Sequence, residues 1–174
     1  MLAGLLLLAI VLTPSATPPL REIGAYYFDV FDKTEVWVNL EPQGLQPGPN
    51  PVRLNMTASF PGRKIDHAPA VIQLRAESIG GVFPYKVREP IFRLEFARGE
   101  LDLTDQAHSF QFVSSCNDCN LDTVVATVPF TVLQDFGTSI SRIDALGFSM
   151  RLGPADLTAL RHFVNTLSQG VTVR

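Results

Sequence analysis

The stretch HSFQFVSSCNDCNLDTVVATVPFTVL, from His108 to Leu133, decides the fold of this chain. Two runs rich in β-branched and aromatic residues flank a short polar turn that carries both cysteines of the sequence. Apolar side chains recur at every second position: Phe110 and Phe112 in the first run, and Val124, Ala126, Val128, Phe130 and Val132 in the second. A period of two over this length predicts a pair of half-buried β-strands.

The same alternation recurs along the chain. The clearest example is 52–60, where apolar residues at even positions alternate with polar residues at odd positions. Similar patterns predict a first hairpin from 24–31 and 34–40, and further strands at 70–78, 91–97, 100–104, 138–143 and 146–152. Strands with one apolar and one polar face are typical of antiparallel sheets that pack together through one face.

Near the end of the chain the period changes to that of a helix. Apolar residues there recur at spacings of three and four, namely at Leu157, Leu160, Val164 and Leu167. Pro154 suits the first helical position and Gly170 suits a C-cap, so we predict an amphipathic helix over about 154–168. The predicted fold is all-β and mainly antiparallel: a two-sheet β-sandwich, immunoglobulin-like or jelly-roll-like, with one C-terminal amphipathic α-helix.

An apolar leader opens the chain. Residues 2–12 are continuously apolar, and the small residues Ser15 and Ala16 follow them. A run of about eleven residues is too short for a transmembrane helix, which needs about 20, but it matches the core of a secretory signal. We expect 1–19 to be a signal peptide or N-terminal apolar leader and 20–174 to be a single domain. The alternative for the leader is a buried N-terminal strand.

Composition restricts the class of function. With 46% hydrophobic and 18% charged residues, the chain is typical of a globular protein. A net charge of -3 without a long basic run argues against nucleic acid as a partner. The sequence lacks a nucleophile elbow, a glycine-rich phosphate loop and a dinucleotide fingerprint. We therefore expect a secreted or periplasmic binding or interaction module without catalytic residues, cofactor or transmembrane span, whose ligand is a protein or a carbohydrate.

Cys116 and Cys119 lie three positions apart, and three interpretations of the pair are open. A redox-active dithiol needs a helix N-terminus or a cation to stabilise the thiolate, whereas Asp118 and Asp122 oppose it. A zinc site needs four ligands, and the three scattered histidines give no recognisable spacing. A structural disulfide at the tip of the hairpin suits an oxidising compartment, so we prefer it and expect no metal site.

Aromatic and basic residues form a candidate binding surface at two places. Tyr27 and Trp37 occupy the two strands of the first hairpin, each on the face that we predict to point away from the core, with Asn39 nearby. They predict a flat platform for a sugar or a protein, the alternative being that both rings belong to the core. A long aromatic and basic loop supplies the other candidates, Tyr85, Lys86 and Arg88.

Two further features bear on function. Asp66 and His67 lie in the predicted loop 61–69, and a small secreted hydrolase with active residues around His67 and Tyr85 is the alternative to a binding module. A pocket that brings His67 close to an acid and a hydroxyl would favour the hydrolase.

Asn55-Met-Thr57 is an N-glycosylation sequon on the polar face of a strand. The sequon would be used only in a eukaryotic secretory pathway.

We predict that a Cys116→Ser, Cys119→Ser double variant folds. Its free energy of unfolding should fall by at most about 2 kcal/mol, because so short a closed loop restricts the unfolded chain only slightly. Urea unfolding measures the change, and thiol titration of the denatured, oxidised wild type should find no free thiol. Rapid exchange with a model dithiol would contradict the structural disulfide, and stoichiometric zinc in the reduced protein would contradict both the structural and the redox interpretation.

Overall fold

A computed structural model describes residues 23–44, 52–79, 91–113, 120–136 and 139–172. In chain order the strands are β1 (Ile23–Phe28), β2 (Lys33–Leu40), β3 (Gln43–Gly44), β4 (Val52–Pro61), β5 (Lys64–Ile65), β6 (Val71–Ile79), β7 (Phe92–Phe96), β8 (Gly99–Asp102), β9 (His108–Val113), β10 (Asn120–Pro129), β11 (Ile140–Ala145), β12 (Phe148–Arg151) and β13 (Val171–Thr172). The α-helices are α1 (Phe130–Phe136) and α2 (Pro154–Gln169).

Two antiparallel sheets pack against each other, which confirms the predicted fold class. Within the described residues, the larger sheet has the strand order β1-β2-β4-β6-β10-β9, and the smaller has the order β3-β12-β11-β7-β8. A separate pairing of β13 with β5 ties the segment after α2 to the connection between β4 and β6. The interior strands β2, β4 and β6 of the larger sheet matter most for the candidate site.

The core lies between the inner faces of the sheets. In β4 the predicted alternation is confirmed, because the side chains at even positions from 52 to 60 are buried. The neighbouring strands bury Val36, Val38, Leu40, Ile72, Leu74 and Ala76, and the smaller sheet contributes Phe92, Leu94, Ile143 and Met150. Removal of this apolar surface from water is the main force that holds the sheets together.

Helix α2 packs against β2 and completes the core. The predicted stripe is confirmed, with Leu160, Val164 and Leu167 buried and Leu157 partly buried. A buried carboxylate fixes the start of the helix: Asp156 Oδ2 accepts a hydrogen bond from the Gly153 N–H at 3.1 Å, and Oδ1 accepts one from the Glu41 N–H at 3.0 Å. The helix is therefore joined to the chain segment that follows β2.

The central hairpin is confirmed, but it lies at one side of the larger sheet. Strands β9 and β10 pair antiparallel, and Phe110 lies opposite Thr123 in the register. The turn between them falls outside the described residues, as do Cys116 and Cys119, so the disulfide stays a prediction. The leader 1–19 lies outside them too.

Some predicted boundaries were wrong. The second run of the hairpin does not continue as a strand to Leu133, because β10 ends at Pro129 and α1 follows. Phe130 and Leu133 are both buried, at a spacing of three that suits a helix. A 3-10 turn at Asp29–Phe31 also ends β1 before the predicted position.

We predict that Leu160→Ala lowers the free energy of unfolding by about 2 to 5 kcal/mol, because the side chain is fully buried and its removal leaves a cavity. Urea unfolding of the purified protein measures the change. The matched control is Arg161→Ala in the next position, where the side chain is exposed and the effect should stay within about 0.5 kcal/mol. An effect of Leu160→Ala under about 0.5 kcal/mol would show that α2 is peripheral to the core.

Candidate functional site

The outer face of the larger sheet carries a depression of about 350 Å³. We call it the outer-face depression. It crosses β2, β4 and β6 and is lined by Glu35, Trp37, Asn39, Asn55, Thr57, Arg75 and Glu77. These side chains point outward because their neighbours along each strand are buried in the core. The site thus includes two of the predicted surface residues, Trp37 and Asn39.

Strand register sets the spacing of the lining side chains. Asn39 lies opposite Asn55, and Asn55 lies opposite Arg75, which gives one row across three strands. Trp37 and Thr57 lie opposite each other in the adjacent row. Neighbouring strands are about 4.8 Å apart, so the three-residue row extends over roughly 10 Å. The depression therefore spans three strands, with its polar groups in adjacent rows.

The Trp37 ring occupies the space beside Gly24 on β1 that a side chain would otherwise fill. Gly24 lies opposite Trp37, and a β-carbon at position 24 would lie 2.2 Å from Trp37 Cζ2. The indole therefore occupies the space that any larger residue at position 24 would need. A glycine inside a strand often marks such a close approach, which is the sequence signal for this contact.

The amide side chains of the depression are oriented by hydrogen bonds. Asn55 Nδ2 donates to Asn39 Oδ1 at 2.8 Å, and Thr57 Oγ1 donates to Asn55 Oδ1 at 2.7 Å. An amide carries two N–H donors and an oxygen with two lone pairs, so these bonds leave further donor and acceptor capacity on both asparagines. Because the groups are already ordered, a ligand would lose less entropy in binding to them.

The charged groups of the depression are paired along their own strands. Lys33 Nζ lies 2.6 Å from Glu35 Oε1, and Arg75 Nε lies 2.9 Å from Glu77 Oε1. Among the described residues the Arg75 Nε–H makes no hydrogen bond, so the second contact is an ion pair only. Partly exposed pairs of this kind add little stability, but they neutralise the carboxylates.

The predicted platform of Tyr27 with Trp37 is not formed. Tyr27 lies opposite Thr34, which is buried, whereas Trp37 lies opposite Gly24, so the two rings lie on opposite faces of the hairpin. Tyr27 instead donates a hydrogen bond from its hydroxyl to Asp32 Oδ1 at 2.7 Å. This bond raises the pKa of Tyr27 above its ordinary value. The 3-10 turn sets the register between β1 and β2, and this register could not be predicted from the sequence.

Two aromatic residues that the sequence reasoning missed share the outer face with Trp37. Tyr26 lies opposite Glu35, and Phe28 lies opposite Lys33. Their rings meet edge to face with centroids 4.7 Å apart, and Tyr26 is 55% exposed. The remaining predicted surface residues, Tyr85, Lys86 and Arg88, fall outside the described residues.

The Asp66–His67 pair gives the hydrolase alternative no enclosed site. His67 Nδ1 lies 2.8 Å from Asp66 Oδ1, and this hydrogen bond lowers the pKa of Asp66. Both side chains are more than half exposed, so water surrounds the pair. In the part of the chain that the structure describes, no group of three or more His, Cys, Asp or Glu residues could hold a metal ion.

No protein-family model, curated protein or solved structure matches this chain. Among the described residues, no helix is both long and apolar enough to cross a membrane. The geometry of the outer-face depression is therefore the basis for a functional argument.

We predict that Gly24→Ala displaces the Trp37 ring, because the added methyl group would overlap it. Trp37 is the single tryptophan of the chain, so its fluorescence reports the change directly, and the emission maximum should move to longer wavelength as the ring becomes more exposed. Gly99→Ala is the matched control, since a β-carbon there meets nothing within 4 Å. An unchanged emission spectrum in Gly24→Ala would refute the close contact.

Proposed function

We propose that the protein is an exported, non-enzymatic binding module that holds its ligand in the outer-face depression. The observation that carries this proposal is the Trp37 ring, which lies against Gly24 and lines the depression with the hydrogen-bonded amides of Asn39 and Asn55. Ligand sites typically combine an apolar, often aromatic, surface with a few placed polar groups. Export rests separately on the predicted leader 1–19.

The chemistry of the depression favours binding over catalysis. Its hydroxyl group, on Thr57, donates to an amide oxygen, which is not a base that could activate it as a nucleophile. Glu35 and Glu77 each contact a cation of their own strand. The groups that line the depression are therefore suited to hold a polar molecule, not to transform it.

A second candidate function is protein binding at the tip of the first hairpin. Val30 and Phe31, in the 3-10 turn, are 83% and 74% exposed. Within the part of the chain that the structure describes, the adjacent strand β1 lies at the edge of the larger sheet, and it carries no charged residue. Uncharged edge strands are templates for pairing with another chain, so this observation favours a protein partner at that edge.

Substitution of Trp37 tests the main proposal. We expect Trp37→Ala to weaken binding of a ligand found in a panel of soluble oligosaccharides and peptides by at least about tenfold, since a central aromatic side chain often contributes about 2 kcal/mol or more. Isothermal calorimetry measures the affinity of each variant.

Phe31→Ala is the control, and it should leave the affinity unchanged because Phe31 lies at the hairpin tip. The opposite result, with binding lost in Phe31→Ala and retained in Trp37→Ala, would replace the main proposal with the second candidate.

A further inference from the structure

We infer that the ligand of the outer-face depression is a neutral oligosaccharide. This inference rests on the proposed function, since it assigns a chemical class to the ligand of that same site. Three properties of the depression lead to it: its charge balance, its hydrogen-bonding groups and the position of its strands inside the sheet.

The paired charges that line the depression argue against strong selection for an ionic ligand. Two carboxylates, on Glu35 and Glu77, are matched by two cations, on Lys33 and Arg75, at 2.6 and 2.9 Å. A cationic ligand would have to displace Lys33 or Arg75 from its carboxylate, and an anionic ligand would have to draw one of these cations away from it. A neutral polar ligand requires neither rearrangement.

The hydrogen-bonding groups fit hydroxyl-rich ligands. A sugar hydroxyl both donates and accepts, and the amides of Asn39 and Asn55 offer both kinds of partner in one row. Trp37 lines the depression beside this row, so its ring adds an aromatic contact to the hydrogen-bonding groups. The row of roughly 10 Å suits a chain of linked sugars more than a single one.

The position of the strands argues against an extended peptide as the ligand. Peptides that bind to sheets usually add to an edge strand, whose N–H and C=O groups are unpaired. Here β2 pairs with β1 and β4, β4 pairs with β2 and β6, and β6 pairs with β4 and β10. The depression therefore offers side chains and not main-chain partners.

Calorimetry with defined hexasaccharides tests the inference. The probes are cellohexaose and the N-acetylglucosamine hexamer as neutral chains, the glucosamine hexamer as a cationic chain, and hexagalacturonate as an anionic chain. We expect at least one neutral hexamer to bind, with an affinity at least about tenfold above both charged chains. Because binding of a neutral hexamer to the depression does not depend on attraction between net charges, its affinity should change little between low and high salt.

Matched variants locate the bound hexamer. Trp37→Ala and Asn39→Ala should each weaken binding by at least about tenfold, whereas Gln73→Ala, on the exposed outer face beside the depression, should change it less than about twofold. Circular dichroism confirms that each variant is folded. Binding of a neutral hexamer that is insensitive to Trp37→Ala would overturn the inference.

Two other outcomes separate this inference from the proposed function. In the first outcome, a charged hexamer or a peptide binds in preference to every neutral hexamer, and this binding depends on Trp37. That result would overturn the assignment of a neutral oligosaccharide but keep the depression as the ligand site. Absence of any Trp37-dependent binding across all hexamers and the peptide panel would overturn both.

Discussion

The period of two in β4 is the constraint on which the rest of the structure depends. Leu54, Met56 and Ala58 are completely buried, so a shift of one residue in register would place polar side chains in the core. The same constraint forces Asn55 and Thr57 to the outer face. The inner side of β4 thus belongs to the core, and its outer side belongs to the candidate site. The register that packs the core therefore also assembles the candidate site.

Periodicity in the sequence predicted the strands, the amphipathic helix and most of the core. It could not predict the depression, because Trp37, Asn55 and Arg75 come from three strands and meet only through the register between them. It also placed Tyr27 on the wrong face, since the 3-10 turn sets which positions of β1 and β2 share a side. The two-residue strands β3, β5 and β13 are too short to show any period.

The sequon at Asn55 lies inside the depression. The Asn55 amide is held by Asn39 and Thr57, and a glycan attached to its nitrogen would occupy the space that we assign to the ligand. Under the proposed function, modification and ligand binding at this residue exclude each other. The unmodified side chain is therefore the form that our proposal requires.

The hydrogen bond from the Glu41 N–H to Asp156 joins residues that are 115 positions apart in the chain. Helix α2 packs against β2, so the inner face of this strand is covered by an element that is synthesised more than 100 residues later. Contacts between such distant segments slow folding, because a long loop must close before they form. A nascent chain therefore cannot complete its core until α2 has left the ribosome. Under our proposal that the protein is exported, this delay would keep the chain in a form that can be translocated.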